Sequence, residues 1–175
     1  MADALALPHP PGRFDFAISV AVLHHFSTAA RRVEGVRAVL ETLRPATDRD
    51  GAGGGRALFT VWALEQGGSR RGWDEGCEQD VMVPWVMRGG AGGRQKQKND
   101  EKENNRGNRG AEGAEMIEEQ EGHKEERDKT FHRYYHLYRE GQLENDILGA
   151  RGVVLESGYE KDNWWAVAAR LVPNT

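Results

Sequence analysis

Phe14-Asp15-Phe16-Ala17-Ile18-Ser19-Val20-Ala21-Val22-Leu23-His24-His25-Phe26 is the stretch whose reading decides the fold. From Phe16 to Leu23 it is almost unbroken apolar, and Ile18, Val20 and Val22 are β-branched. Such a run reads as a strand buried on both faces, the mark of a parallel sheet in an α/β fold. Pro8, Pro10, Pro11 and Gly12 set a turn before it. Ser27-Thr28 after it supplies an N-cap for a helix over Ala29–Leu43. Val33, Val36, Leu40 and Leu43 fall on one stripe of that helix, and Arg31, Arg32, Glu34, Arg37 and Glu41 fall elsewhere. Pro45 ends it, Asp48–Gly55 is a loop, and Ala57–Leu64 is a second strand. Strand, helix and strand within about fifty residues make a βαβ unit with a right-handed crossover.

Further along, the pattern loosens. Glu65–Met87 carries Trp73 and Trp85 without clear periodicity and reads as an ordered functional loop. Between Gly89 and about Lys129 charge of both signs dominates, and few side chains could build a core. That stretch reads as a disordered insertion, because it buries too little surface to offset its ordering entropy. Order resumes at Phe131 with Tyr134, Tyr135, Leu137 and Tyr138, then a helix over Gly141–Ala150 with Leu143, Ile147 and Leu148 inward. Val153–Leu155 and Trp164–Leu171 read as an antiparallel pair closing a sheet edge, connected through 157–163. The expected organisation is therefore 1–88 and 130–175 as two parts of one core, with 89–129 inserted between them.

Composition narrows the class. The 175 residues carry 24 Lys and Arg against 28 Asp and Glu, a formal net charge of −4, and mean hydropathy is −0.75. A slightly acidic balance disfavours a global polyanion-binding surface while leaving room for local basic clusters. One cysteine, Cys77, excludes an internal disulfide framework and a cysteine-based zinc site made by this chain alone. No apolar run approaches the ~18 residues of a spanning helix, and the first residues lack the basic and apolar regions of a signal peptide. A cytoplasmic protein is expected, with the nucleus as a second compartment, and no membrane partner.

Several residues could carry chemistry. His24-His25 stand at the carboxyl end of the first strand, where open α/β sheets gather ligands and catalytic groups, although a capping or packing role also fits. Asp3 is either a ligand-contacting residue or a simple turn aspartate. Arg31-Arg32, Arg70-Arg71 and Arg133 could hold a carboxylate or RNA phosphates, or could form a solvated charged face. Trp62, Trp73 and Trp85 could stack on bases. Gly51, Gly53, Gly54 and Gly55 lead into a strand rather than out of one into a helix, so they read as a turn and not as a phosphate loop. His132 and His136, in His-Arg-Tyr-Tyr-His, lack a third ligand, so no metal is expected.

Taken together, ISVAVLHHFST with Arg31-Arg32, RALFTVWALEQ, SRR, QDVMVPWV, FHRYYHLYREGQL and GYEKDNWW closely resemble the eukaryotic tRNA wobble-uridine carboxymethyl methyltransferases. These are S-adenosylmethionine-dependent class I enzymes that esterify 5-carboxymethyluridine. The resemblance covers about 1–88 and 130–172. It implies a Rossmann-like sheet, mostly parallel with an antiparallel closing pair, with S-adenosylmethionine as cofactor and the tRNA anticodon loop as substrate. A small zinc-binding activator subunit is the implied partner, and DNA is not. By this analogy His25, Trp62 and Glu65 line the methyl-transfer site. His24, Arg70, Arg71 and Arg133 bind substrate, and Asp3 and Ala21 border the cofactor.

The resemblance also implies a glycine-rich cofactor turn and a ribose-gripping acidic residue upstream, and neither is found between Met1 and Thr175. The chain is thus expected to be the C-terminal portion of such an enzyme, to leave its first strand with one apolar edge bare, and to bind cofactor poorly alone. Two other readings are a non-catalytic tRNA- or partner-binding module, and a class I methyltransferase of a small molecule.

Overall fold

The computed structural model describes residues 3–47, 53–67, 73–87 and 129–171. Phe16–Val20 forms β1, followed by a 3₁₀ turn at Leu23–His25 and by α1 over Ala29–Thr42. The Thr28 hydroxyl caps α1 by accepting from the Arg31 N–H at 3.3 Å, as a Thr at this position should. Arg56–Trp62 forms β2, Asp80–Met87 β3, Lys129–His136 β4, Gln142–Gly149 α2, Gly152–Glu160 β5 and Asn163–Arg170 β6.

Four strands make the main sheet in the order β1-β2-β6-β5. β1 and β2 are parallel, from Phe16 opposite Arg56 to Val20 opposite Thr60. β6 runs antiparallel to both β2 and β5. Three strands therefore share one direction and β6 alone reverses, which is the expected mostly parallel sheet with an antiparallel closing pair. The β5–β6 turn is tighter than the sequence reading had it. It consists of Lys161 and Asp162 alone, both with positive φ (47° and 64°), the backbone of a two-residue hairpin matched to strand twist.

The core lies between the sheet and the two helices. Val36, Leu40 and Leu43 from the α1 side, Phe59 and Val61 from β2, Leu143 and Ile147 from α2, and Ala166 and Ala168 from β6 are all buried. Two residues depart from the sequence reading. Leu148 is exposed, because the stripe that Leu143 and Ile147 set continues on Asp146 rather than on the next residue. Arg32, expected on the solvent side of α1, is buried, with its Nε 3.6 Å from Asp146 Oδ2 and its guanidinium 5.7 Å from the Tyr138 ring centre.

β1 holds its expected position and has the bare apolar edge expected of this portion of the sheet, rather than the burial on both faces that its composition alone reads as. Phe16, Ile18 and Val20 are 55, 59 and 58% exposed. β1 is the edge strand, so one apolar face and one row of backbone groups stand open. Beside it runs a cavity of about 350 Å³ lined by Leu7, Phe14, Ala17, Leu23, Phe26 and Val39, among others.

The region read as a loop over 65–87 contains β3, which pairs with β4 in a separate two-stranded sheet. Pro84 obscured the strand, since proline is tolerated only where no ladder partner needs its N–H, as in a two-stranded ribbon. The chain divides into one unit of 1–84 with 132–175 and a second of 85–131. In the second unit the Trp85 and Phe131 rings lie 6.3 Å apart. The expectation of disorder over 89–129 falls almost wholly outside the described residues.

Candidate functional site

The carboxyl ends of β1 and β2 meet in an aromatic cluster. Beyond Val20, Ala21 adopts a left-handed backbone (φ 57°) while its N–H still donates to the Thr60 carbonyl at 3.1 Å. A non-glycine residue held there is strained, and such strain collects at functional sites. The turn it starts delivers His24 and His25 in succession.

His24 is fully buried. The Trp62 backbone N–H donates to its Nδ1 at 3.1 Å, so the ring proton sits on Nε2, which has no hydrogen-bond partner among the described residues. Burial first, and His25 beside it second, push its pKa down to about 3. The ring is neutral at physiological pH and clamps the end of β2. Its neighbour has the opposite polarity. His25 is exposed and its Nδ1 lies 3.0 Å from the Tyr134 carbonyl oxygen, an acceptor only. His25 Nδ1 therefore carries a proton and donates it to that carbonyl.

Rings fill the space around this pair. Trp62 and Tyr135 stack at 4.4 Å with an 8° tilt, Tyr135 lies 4.4 Å from His25, and Trp73 lies 6.0 Å from Trp62. Offset aromatic pairs of this kind contribute about 0.5–1.5 kcal/mol beyond the area they bury. Tyr138 braces the cluster from behind. Its N–H donates to the Trp62 carbonyl at 2.9 Å, and its carbonyl accepts from Leu64 at 2.9 Å. Its buried hydroxyl donates to Asp146 at 2.9 Å. Burial pushes the Asp146 carboxyl up, against the opposite pull of the Tyr138 hydroxyl and Arg32. On the β4 side, the Tyr134 hydroxyl and His136 Nδ1 both bond the Asp80 carboxylate, holding it below the usual range.

The other residues singled out from sequence divide. Glu65 stands on the β6 side of the β2 end: its Oε2 accepts from Trp164 Nε1 at 3.3 Å and its carbonyl accepts from the Tyr159 hydroxyl at 2.9 Å. Asp3 forms a tight turn, its Oδ1 accepting from the Leu5 N–H at 2.9 Å. Arg133 lies exposed on β4 beside Tyr134, and Arg70 and Arg71 fall outside the described residues. Among the described residues no three His, Cys, Asp or Glu converge as metal ligands. Sequence reading passed over Tyr135, Asp80 and the Tyr134 carbonyl as site residues. The double tyrosine in His-Arg-Tyr-Tyr-His was the available signal, one ring for each face of a strand.

No family model matches the chain. Comparison with curated proteins is decisive. The Schizosaccharomyces pombe tRNA (carboxymethyluridine(34)-5-O)-methyltransferase is 43% identical over 170 residues, covering 97% of this chain and 63% of that protein. The Saccharomyces cerevisiae protein of the same name is 42% identical over 195 residues, covering 97% of this chain and 67% of that protein. The chain belongs to this family. As a carboxymethyluridine methyltransferase family member, it spans about two thirds of the length of these two relatives. Among solved structures it is similar to an S-adenosylmethionine-dependent methyltransferase from Clostridium acetobutylicum, with a TM-score of 0.53 at 12% identity, covering 97% of this chain and 63% of that one. A second, from Methanosarcina mazei, gives 0.53 at 11% identity, covering 98% and 66%. At those identities the likeness shows the fold, a class I methyltransferase sheet.

Whether a family cofactor fits can be tested on the residues present. Ala4 and Val22, next to Asp3 and Ala21, line the apolar cavity along β1. No carboxylate is among that cavity's lining residues, and Asp3 spends its own on a local turn. The described residues thus fit one apolar wall of a cofactor site and lack the groups that grip ribose hydroxyls.

Proposed function

We propose that the protein acts in S-adenosylmethionine-dependent methyl esterification of 5-carboxymethyluridine at the tRNA wobble position. The observation that carries this reading is 42% identity to a carboxymethyluridine methyltransferase across 97% of the chain. S-adenosylmethionine supplies an electrophilic methyl group when bound, and Ala21, Val22 and the wall along β1 would border it. The substrate carboxylate is ionised at neutral pH, since such groups lose their proton near 4. No side chain has to remove a proton. The chain's residues must bind, orient and desolvate the carboxylate, the terms that dominate when both reactants are already activated.

In this reading His25 and the Trp62–Tyr135 stack form the floor against which the wobble base is placed. Trp73 offers a further ring face, as single-stranded bases require. His24 holds Trp62 rather than touching substrate, and Glu65 sets the far side of the β2 end. Arg70, Arg71 and Arg133 are the proposed anchors for the carboxylate and anticodon phosphates. The partners are the tRNA anticodon loop and a small zinc-binding activator subunit, and the site of action is the cytoplasm or nucleus.

The test uses residues 1–171 grafted in place of the matching region of the S. cerevisiae relative, co-expressed with the activator subunit. Incubated with methyl-labelled S-adenosylmethionine, the graft should label tRNA bearing carboxymethyluridine in an alkali-labile form. It should leave tRNA bearing the corresponding carbamoylmethyl amide unlabelled. A folded, cofactor-binding graft that labels neither tRNA, or both equally, overturns the reading.

A further inference from the structure

Three arginines gather away from the aromatic cluster, at the opposite end of the sheet. Arg37, Arg151 and Arg170 line a cavity of about 360 Å³ together with Leu40, Glu41 and Ala150, among others. Arg170 ends β6 opposite Gly152, next to the residue facing Arg56 at the start of β2, whereas Trp62 faces Asn163 at the far end. The cavity and the His24–His25 turn therefore sit at opposite ends of β2.

Two of the three guanidiniums are tethered to backbone carbonyls. Arg170 Nη1 donates to the Glu41 carbonyl at 2.9 Å, and Arg37 Nη2 to the Gly149 carbonyl at 3.4 Å. Arg151 has a left-handed backbone (φ 65°) just past α2 and lines the cavity as well. Each of the two tethered groups spends one N–H on a carbonyl and keeps others for a ligand, because a guanidinium offers five donors.

Charge is left over as well. Arg32 and Arg44 each have a carboxylate partner, Asp146 and Asp15. Among the described residues no ion pair joins Arg37, Arg151 or Arg170 to any carboxylate, although Glu41 lines the same cavity. Three cations against one anion leave a net charge of about +2 in the fully ionised site. The negative end of α2 does not cancel it. The carbonyls of Asp146, Ile147 and Leu148 accept from Ala150 and Arg151 N–H groups, and that of Gly149 accepts from Arg37. Planar forks around a cavity of this size suit a tetrahedral oxyanion.

We propose that this pocket binds a phosphoryl oxyanion, supplied by the backbone of the RNA substrate. The RNA source rests on the tRNA reading above, and the oxyanion site does not. The pocket then holds the RNA at a point remote from methyl transfer, contributing affinity without reading sequence.

The experiment follows arginine Nε–H resonances of the full chain by NMR during titration with inorganic phosphate, then with oligouridylate. Arg151→Asn removes one fork and tolerates the left-handed backbone, and Arg37→Gln keeps an N–H for the Gly149 carbonyl. Phosphate should shift the Arg37 and Arg170 signals in the parent, shift both several-fold less in Arg151→Asn, and shift the Arg170 signal several-fold less in Arg37→Gln, both variants melting with the parent. Oligouridylate should bind more weakly to Arg151→Asn, with the salt slope of log K reduced by about 0.7, the value for one lost single-strand phosphate contact. A phosphate response with unchanged oligouridylate binding keeps the oxyanion site and assigns it to a free phosphate or monoester, overturning the RNA source. Shifts that sodium chloride at equal ionic strength reproduces, or that survive in both variants, overturn the site itself. None of these readouts depends on methyl transfer.

Discussion

Replacing Arg32 with Met should destabilise the protein strongly at neutral pH and much less in mild acid. Arg32 and Asp146 are both buried, the Arg32 Nε stands 3.6 Å from Asp146 Oδ2, and Arg32 Nη1 donates to the Phe26 carbonyl at 3.4 Å. Removing one partner of a buried pair leaves an uncompensated charge and costs about 3–5 kcal/mol. Met roughly preserves the packing volume, so the lower end, about 3 kcal/mol, is expected at pH 7. The pH dependence follows from Asp146, whose carboxyl is already pushed up by burial and loses a cation in the variant. A carboxyl with a raised folded pKa binds its proton more tightly in the folded state. Its contribution is most favourable below the unfolded value of about 3.9 and is lost as pH rises through the folded value. The variant should therefore recover most of the loss near pH 4, where a neutral Asp146 needs no cation, and Arg32→Met with Asp146→Asn should lose the pH dependence. Urea unfolding of parent and variants between pH 4 and pH 7 measures this. A loss under about 1 kcal/mol at pH 7, or an equal loss at both ends, refutes the reasoning, since it would make the pair behave as a surface one.

His24→Asn keeps an acceptor for the Trp62 N–H but cannot titrate. His24, held down to about 3, should make the parent lose stability relative to the variant as pH falls below about 6.5, by roughly 1.4 kcal/mol per unit, measured by thermal melts across that range. Tyr135→Leu keeps an apolar side chain but removes the 4.4 Å stack on Trp62. It should cost about 0.5–1.5 kcal/mol and alter the near-ultraviolet circular dichroism of Trp62, and an unchanged spectrum would contradict the stack. Ile18→Lys places a charge on the bare face of β1, where the residue is 59% exposed. Folding stability should move by about 0.5 kcal/mol or less, while self-association read by sedimentation velocity should fall. Parent and variant with the same sedimentation profile would show that this edge does not drive association.

Much of the fold was legible because it is written in short-range patterns. The apolar run at Phe16–Leu23, the Thr28 cap, the Val36/Leu40/Leu43 stripe and the β5 and β6 segments all state their structure locally. What was not legible depends on distant partners. Arg32 reads as a surface residue until Asp146, more than a hundred residues later, supplies the carboxylate that makes burial tolerable. β3 hides behind Pro84, and only pairing with β4 makes it a strand. The exposure of Phe16, Ile18 and Val20 reverses the burial their composition alone implies, because burial needs a neighbour that the described sheet lacks on that side; the bare edge was expected from the family resemblance, not from the local pattern.

The site followed the same division. His24 and His25 could be placed at a strand end from sequence, but their opposite proton positions could not. Those are set by the Trp62 N–H on one ring and the Tyr134 carbonyl on the other, two groups from different strands. Tyr135 is half of the ring stack and carried only the signal of a doubled aromatic. Glu65, assigned from its place after β2, is drawn towards Trp164 and Tyr159 by β5 and β6, elements whose closeness the sequence does not display.

The most direct test of the family reading lies in cells. The graft of residues 1–171 would replace the matching region of the S. cerevisiae relative as its sole source, and wobble nucleosides of bulk tRNA would be quantified by mass spectrometry. The account predicts that the methyl ester of carboxymethyluridine reappears and that free carboxymethyluridine declines. Persistence of the free acid with no ester, in cells holding soluble graft, would contradict it.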